Sequence, residues 1–166
     1  TVRSTLVIGL SIPISLIATF VLMYFQGMSL NIITLGGLTM GIGRIVDDSI
    51  VVLENIHRHR ERGLSPLEAA KSGASEVAMA VAASTFTTIS VFVPVIFVGG
   101  MVGELFTPMS LTVSFALIAS LVVSLTVVPM FASKLLRHGE VGAGGTGTFV
   151  DHLAAQWQRG YSRVDR

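Results

Sequence analysis

Four long apolar blocks constrain this chain more than any other feature, because each is long enough to cross a lipid bilayer. They cover about residues 5–25, 30–53, 74–98 and 109–136. Roughly 20 apolar residues span the hydrocarbon core as a helix, whereas a membrane strand needs only about 10. The sequence therefore predicts an all-α fold, a four-helix transmembrane fragment of a larger polytopic helical bundle.

The composition agrees with a membrane protein. Hydrophobic residues make up 51% of the 166 residues and charged residues 13%, about half the charged share of a soluble domain. The net charge of +1 gives no reason to expect nucleic acid as a partner, and the absence of cysteine excludes disulfides and thiolate metal sites. The chain shows no signal-peptide pattern, and we interpret it as an internal stretch of a longer protein.

The chain divides into three predicted segments. Residues 1–137 form the transmembrane bundle, 138–148 a glycine-rich linker that is flexible by composition, and 149–166 an amphipathic segment. Apolar residues recur at helical spacing in the last segment: Phe149, Val150, Leu153, Ala154, Trp157 and Tyr161. This pattern predicts a short helix at the cytoplasmic interface of the membrane. The alternative is a helix packed on protein outside this chain.

Basic residues predict how the chain is oriented. Apart from Arg44, every Lys and Arg falls at the N-terminus, in the middle loop or toward the C-terminal end. The turns after the first and the third apolar blocks contain no Lys or Arg. Because cytoplasmic loops are enriched in Lys and Arg, we expect both termini and the middle loop to be cytoplasmic.

Local signals predict where two of the helices begin. Ser65–Glu68 reads as a capping box with proline in the first turn, which predicts a helix start in the middle loop. Thr107–Pro108 resembles a second start of this kind, with the glycines between residues 99 and 103 forming a turn before it.

Three charged residues, Arg44, Asp47 and Asp48, lie inside the second apolar block. Insertion scales assign each of them roughly +2.5 to +3.5 kcal/mol at the middle of a membrane helix. The apolar run continues beyond them to Leu53. Asp47 precedes His57 by about 15 Å at helical rise, which places the charges near the middle of the bilayer. They must therefore be shielded from lipid.

Helical spacing indicates which way these charges face. Gly37, Gly41, Arg44 and Asp48 form one stripe along the helix, whereas Asp47 is rotated by about 100°. The two glycines make a surface that a second helix can approach closely. Asp48 is therefore expected to point into a bundle, covered by helices beyond this chain, with Arg44 in reach of both carboxylates.

The third block carries hydroxyls at a matching depth: Ser84, Thr85, Thr87 and Thr88. They are possible relay groups or hydrogen-bond partners for the carboxylates. The alternative, equally open from the sequence, is that they only hold helices together.

Adjacent intramembrane acids beside a cation predict proton or cation coupling. Such carboxylates commonly mark ion or proton pathways, and burial, mutual repulsion and Arg44 act on their protonation in opposite directions. The alternative is a static buried ion pair. No enzyme is expected, because catalytic triads, phosphate loops and zinc spacings are missing from the sequence. Glu54, His57 and His59 fit a solvated basic flank better than a metal site, so neither metal nor cofactor is predicted.

The segment Gly41–Asn55, GIGRIVDDSIVVLEN, closely resembles the fourth transmembrane helix of resistance-nodulation-division (RND) efflux pumps, most of all their hydrophobe/amphiphile multidrug branch. The resemblance covers about residues 1–137, and the tail 149–161 is similar to the interfacial helix of that family. Other matching positions are Pro13, Phe92-Val93-Pro94, Gly99-Gly100 and Val128-Pro129.

This resemblance implies a fold and a function. The chain would be the third to sixth transmembrane helices of a bacterial plasma (inner) membrane transporter, in which Asp47 and Asp48 take up and release protons. Expected partners are the lipid bilayer, the second half of the membrane domain, the extracytoplasmic domains and two further copies in a homotrimer. Arg44 departs from the apolar residue usual in Gram-negative pumps, and it could replace or compete with a coupling lysine of the second half.

Two other functions stay open at this stage. One is an RND-like transporter for protein export or lipid transport, although the Asp-Asp-Ser sequence favours drug efflux. The other is a structural helix bundle whose ion pair only fixes helix register.

Overall fold

The computed structural model describes residues 2–135, and these form four helices without a strand. The helices are α1 (Val2–Phe25), α2 (Ile32–Glu61), α3 (Pro66–Ile96) and α4 (Gly100–Leu135). The predicted all-α fold is thereby confirmed. The predicted linker 138–148, the interfacial segment 149–166 and the last residue of the fourth apolar block lie outside the described residues.

Three of these helices are long and apolar enough to cross a membrane: α1 over Ser4–Phe25, α3 and α4. Helix α2 has 30 residues, or about 45 Å at helical rise. It is less apolar than the others because Arg44, Asp47 and Asp48 lie in its middle and because its last two turns, residues 54–61, are mostly charged or polar.

Helix α2 nevertheless lies at the same membrane depth as its neighbours α1 and α4. The Ser4 Oγ atom near the start of α1 lies 2.8 Å from the His57 Nε2 atom near the end of α2, so these two helices are antiparallel. Gly37 packs on Met109 at the other end of α2, so α2 and α4 run parallel. A helix packed along its whole length against two spanning helices traverses the same layer.

A capping box that the sequence analysis did not identify starts α2. The Asn31 side-chain oxygen accepts hydrogen bonds from the N–H groups of Ile33 and Thr34, both at 2.9 Å. The Thr34 hydroxyl accepts in return from the Asn31 N–H at 2.9 Å. Gly27, with φ of +64°, makes the turn before this cap, a conformation that glycine adopts without steric cost.

The two predicted helix starts had different outcomes. The Ser65 box is confirmed, because its hydroxyl accepts from the Glu68 N–H at 3.3 Å and Glu68 accepts from the Ser65 N–H at 3.2 Å. The start at Thr107–Pro108 is wrong, since α4 begins at Gly100 and Pro108 lies inside it. The chain turns at Gly100, where φ is +73°, and a proline within a membrane helix is tolerated.

Close packing of α2 on α4 forms the centre of the bundle. A Cβ atom placed on Gly41 would lie 2.5 Å from the Ala116 Cβ, and one on Gly37 would lie 2.9 Å from the Met109 carbonyl oxygen. Neither position accepts a larger residue unless the helices move apart. The structure thus places α4 directly against the glycine stripe of α2.

Apolar side chains from all four helices meet at the end of the bundle that carries Arg58, Arg60 and Arg62, which we call the basic end. The buried members are Val7, Val52, Leu53, Ile56, Ala70, Ala74, Val81, Val128 and Ala132. This cluster fixes the register of α2 against its neighbours one to two turns from Asp48.

Candidate functional site

The candidate site is built around Asp48, which lies about halfway along α2 and is only 4% exposed. The Ser120 hydroxyl of α4 donates to its Oδ2 atom at 3.1 Å, and Ser120 is 1% exposed. The Arg44 Nε atom lies 4.0 Å from its Oδ1 atom, one helical turn away. The carboxylate is therefore enclosed between α2 and α4, with a donor on one oxygen and a cation near the other.

Arg44 links the site to α3. Its Nη2 atom donates to the Ser84 hydroxyl oxygen, and its side chain is 30% exposed. The Nε atom is buried and has no hydrogen-bond partner among the described residues. The Arg44 guanidinium thus joins α2 to α3. It is bonded to the neutral Ser84 hydroxyl and lies close to the Asp48 carboxylate.

Asp47 lies in a different environment, although it is adjacent to Asp48 in the sequence. It is exposed on the surface of the four helices, and the described residues provide no salt bridge to it. The exposed face of α2 includes Gly36, Met40 and Gly43. Because a carboxylate in contact with lipid is costly, this face requires cover from a further helix.

The expectation about which acid needs missing helices is thereby corrected. The sequence stripe suggested that Asp48 is covered by helices beyond this chain. The structure covers Asp48 with α4, through Ser120 and the close approach at Gly41. Asp47 is the carboxylate that the described residues leave open.

The predicted hydroxyls of α3 lie apart from the carboxylates. Ser84 contacts Arg44. Thr85, Thr87 and Thr88 each donate to the backbone carbonyl four residues earlier in α3, at 2.9, 2.8 and 3.0 Å. Hydroxyls in helices commonly form such bonds within their own helix. Of the four, Ser84 alone reaches the charged cluster.

Comparison with known proteins identifies the family. The sequence matches the AcrB/AcrD/AcrF family over residues 1–164. The chain belongs to this family. The resemblance to RND transporters seen in Gly41–Asn55 is confirmed.

Individual relatives agree with this assignment. The multidrug resistance protein MdtC of Pantoea ananatis is 42% identical over 161 residues, which cover 97% of this chain and 16% of the relative. MdtC of Edwardsiella ictaluri is 42% identical over 160 residues, covering 96% of the chain and 16% of the relative. The swarming motility protein SwrC of Bacillus subtilis is 45% identical over 145 residues, covering 86% of the chain and 14% of the relative.

Two consequences follow from these matches. The chain spans about a sixth of the length of these relatives, and membership of the AcrB/AcrD/AcrF family makes it part of a larger transporter. Together with the membrane-crossing helices, the relatives identify a multi-pass protein of the bacterial inner membrane that belongs to an efflux transporter family.

Ser120 was not predicted as a site residue from the sequence. A weak signal was available, because Ala116 and Ser120 are one turn apart and form a strip of small residues, but Ser110, Ser114 and Ser124 of the same helix are equally small and polar. The hydroxyls predicted to lie near the carboxylates are all on α3. Which serine of α4 meets Asp48 depends on the register between two helices far apart in the sequence.

A second interhelical hydroxyl contact lies next to the site. The Ser49 and Ser11 hydroxyl oxygens are 3.0 Å apart, and both residues are 1% exposed. This contact holds α1 against α2 beside Asp48. Polar contacts of this kind commonly hold membrane helices together.

Charged groups also join α2 to α3 at the basic end. The Glu76 carboxylate accepts from Asn55 at 3.1 Å and Arg58 at 3.1 Å, and lies 2.6 Å from the His59 Nε2 atom. Burial lowers the pKa of His57, which faces Ser4 of α1. These contacts hold the end of α2 against its neighbours, and no metal-binding group of His and acidic residues occurs between residues 2 and 135.

Proposed function

We propose that this chain carries protons within an efflux transporter that exchanges amphiphilic compounds for H⁺ and is driven by the proton-motive force. The observation that carries the proposal is the enclosed carboxylate of Asp48, 4% exposed halfway along α2. Ionisable groups at this depth commonly belong to ion or proton pathways. Efflux of amphiphilic drugs is favoured by the relatives named multidrug resistance proteins.

The surroundings of Asp48 suit a group that changes protonation. The ionised form is stabilised by the Ser120 hydroxyl at 3.1 Å and by the Arg44 cation. The neutral form is favoured by enclosure away from water. Because these influences oppose each other, a small shift of α4 or Arg44 changes which form is preferred. Proton uptake and release at Asp48 thereby follow helix movement.

Asp47 serves as the second proton-binding group in this proposal. It lies on the open face of α2, where another part of the transporter would cover it. A proton passing between the two acids moves around α2 by about 100°. Each charge carried across the full field contributes about 2.3 kcal/mol per 100 mV.

Substrate binding belongs to parts of the transporter outside this chain. The turns at residues 26–31 and 97–99 lie between consecutive helices and are too short to form a pocket for an amphiphile. We therefore assign substrate recognition to extracytoplasmic domains, with the second half of the membrane domain and a homotrimeric assembly as further partners. The basic end faces the cytoplasm in this arrangement.

The direct test is Asp48→Asn in the intact transporter. The amide keeps the size of the side chain but cannot exchange a proton at neutral pH. We expect energised cells carrying this variant to retain ethidium as de-energised cells do. The matched control is Glu104→Gln, which also replaces a carboxylate by an amide but lies near the start of α4, away from Asp48. We expect this variant to leave efflux unchanged. Normal efflux by Asp48→Asn at normal membrane expression contradicts the proposal.

A static ion pair is the second candidate, favoured by the proximity of Arg44 to both Asp48 and Ser84. Under this hypothesis the charges only fix helix register. Replacing Arg44, Asp47 and Asp48 together with apolar residues would then leave efflux intact, whereas proton coupling predicts its loss.

A further inference from the structure

The guanidinium of Arg44 has more hydrogen-bonding capacity than its surroundings use. An arginine carries five N–H donors and no acceptor. Here Nη2 donates to Ser84, while the buried Nε has no hydrogen-bond partner among residues 2–135. The Nε atom lies 4.0 Å from the Asp48 Oδ1 atom, about 1 Å beyond the range of a direct hydrogen bond. A small rotation of the Arg44 side chain would close this gap.

We propose that Arg44 alternates between Ser84 and Asp48, and that this exchange transmits the charge of Asp48 to the contact between α2 and α3. The inference rests on the proposed function, because it requires Asp48 to gain and lose a proton. Ser84 is then a positioning residue, which holds Arg44 away from the carboxylate while Asp48 is neutral.

The physical basis is the difference between a charged and a neutral acceptor. Arg44 is charged in both bonds, but an ionised Asp48 adds Coulombic attraction between opposite charges that the Ser84 hydroxyl lacks. An ionised Asp48 therefore draws Arg44 away from the Ser84 hydroxyl, and a protonated Asp48 releases it. Ser84 is exposed on α3, so the contact that breaks lies at the outer side of the α2–α3 groove. Loss of this contact frees the part of α3 around Ser84 to move relative to α2, while the Glu76 contacts at the basic end persist.

No other cation among the described residues lies at this depth. On α2 the neighbouring charge is Asp47. The titratable side chains that the other helices contribute between residues 4 and 135 lie toward the helix ends: Tyr24 of α1, Glu68, Lys71 and Glu76 of α3, and Glu104 and Lys134 of α4. Arg44 is therefore the cation that can respond to Asp48 within this part of the chain.

The test is the pH profile of transport by the intact transporter, reconstituted in liposomes with ethidium as the probe. Arg44→Leu removes the cation, so Asp48 retains its proton at higher pH. We expect the alkaline limb of the profile, where transport falls as the pH rises, to move to higher pH by about one unit. Ser84→Ala releases Arg44 toward the carboxylate, so the same limb moves to lower pH by about half a unit.

A double variant separates this proposal from a purely structural role. Ser84 acts only through Arg44, so Arg44→Leu with Ser84→Ala should match Arg44→Leu alone. Arg44→Lys keeps the charge and should give an intermediate profile. Ser90→Ala, the same change two turns along α3 where the hydroxyl bonds to the Thr87 carbonyl, is the matched control and leaves the profile unchanged.

Three outcomes would overturn the proposal. These are an unchanged profile for both single variants, shifts of both in the same direction, or a Ser84→Ala shift that persists without Arg44. If Asp48→Asn abolishes transport while the Arg44 and Ser84 variants keep the wild-type profile, the exchange is wrong and the proton role of Asp48 stands. If Asp48→Asn transports normally, the proposed function itself is wrong.

Discussion

Neighbouring residues of one helix turn can have opposite environments, as Asp47 and Asp48 do. Asp48 is enclosed by α4 and bonded to Ser120, whereas Asp47 is exposed on the open face of α2. The rotation of about 100° per residue produces this difference. The two acids are therefore chemically distinct, and we expect Asp48 to respond to changes in α4 and Asp47 to changes outside this chain.

The hydroxyl of Ser120 provides a test at the scale of a single atom. Ser120→Ala removes the donor to the ionised Asp48, so the carboxylate form loses roughly 1.5–3 kcal/mol. We expect the alkaline limb of the efflux pH profile to move to higher pH by about one to two units.

The matched control for this prediction is Ser114→Ala. Ser114 lies on the same helix and is 8% exposed, but its hydroxyl donates to the Ser110 carbonyl at 2.8 Å. The profile should not shift in this variant. Equal shifts in both variants would show that Ser120 acts through helix packing rather than through Asp48.

Helix α2 depends on its glycines for contact with α4, which gives a prediction at the scale of the element. In Gly41→Ala the new methyl group would lie 2.5 Å from the Ala116 Cβ. Overpacking of this kind commonly costs about 1–3 kcal/mol. We expect a lower thermal unfolding temperature of the purified transporter and slower efflux, because the separation of the helices also moves Ser120 from Asp48.

A compensating change distinguishes packing from other effects of Gly41→Ala. Ala116→Gly in the same protein removes the opposing methyl group and should restore both properties. Gly9→Ala on α1, where a Cβ meets no atom within 4 Å, should have little effect. Failure of the double variant to recover would contradict the packing argument.

Local patterns predicted more of the elements than of the contacts between them. The Ser65 box could be recognised because all of its partners lie within four residues. The Thr107–Pro108 signal has the same local form, but it failed because a membrane helix can continue through proline. The partner of Asp48 could not be read in this way, since Ser120 becomes its neighbour only through the register of α2 on α4.

At the scale of the whole molecule, the basic residues predict that the basic end faces the cytoplasm. The described chain contains no cysteine, so single cysteines can be introduced into a transporter whose other cysteines have been replaced. We expect Gln26→Cys to react with a membrane-impermeant maleimide in intact cells. Arg62→Cys should react only after permeabilisation, since both positions are exposed in turns. The reverse pattern would contradict the predicted orientation.

The bundle is also incomplete as a transport unit at this scale. Its closed side, between α2 and α4, encloses Asp48, and its open side presents Asp47. The sequence predicted the charged stripe and the family, but it assigned the uncovered face to the wrong acid. The reason is that spacing defines a face of a helix without defining which neighbour covers it.

The most direct test of the central claim is an infrared difference spectrum of the purified transporter in lipid, recorded across a rise in pH. A protonated carboxyl group has a carbonyl band distinct from that of a carboxylate. We predict that this band disappears as the pH rises, that Asp47→Asn retains part of the change, and that Asp48→Asn lacks the Asp48 component. Identical difference spectra for the wild type and Asp48→Asn would show that Asp48 does not exchange a proton.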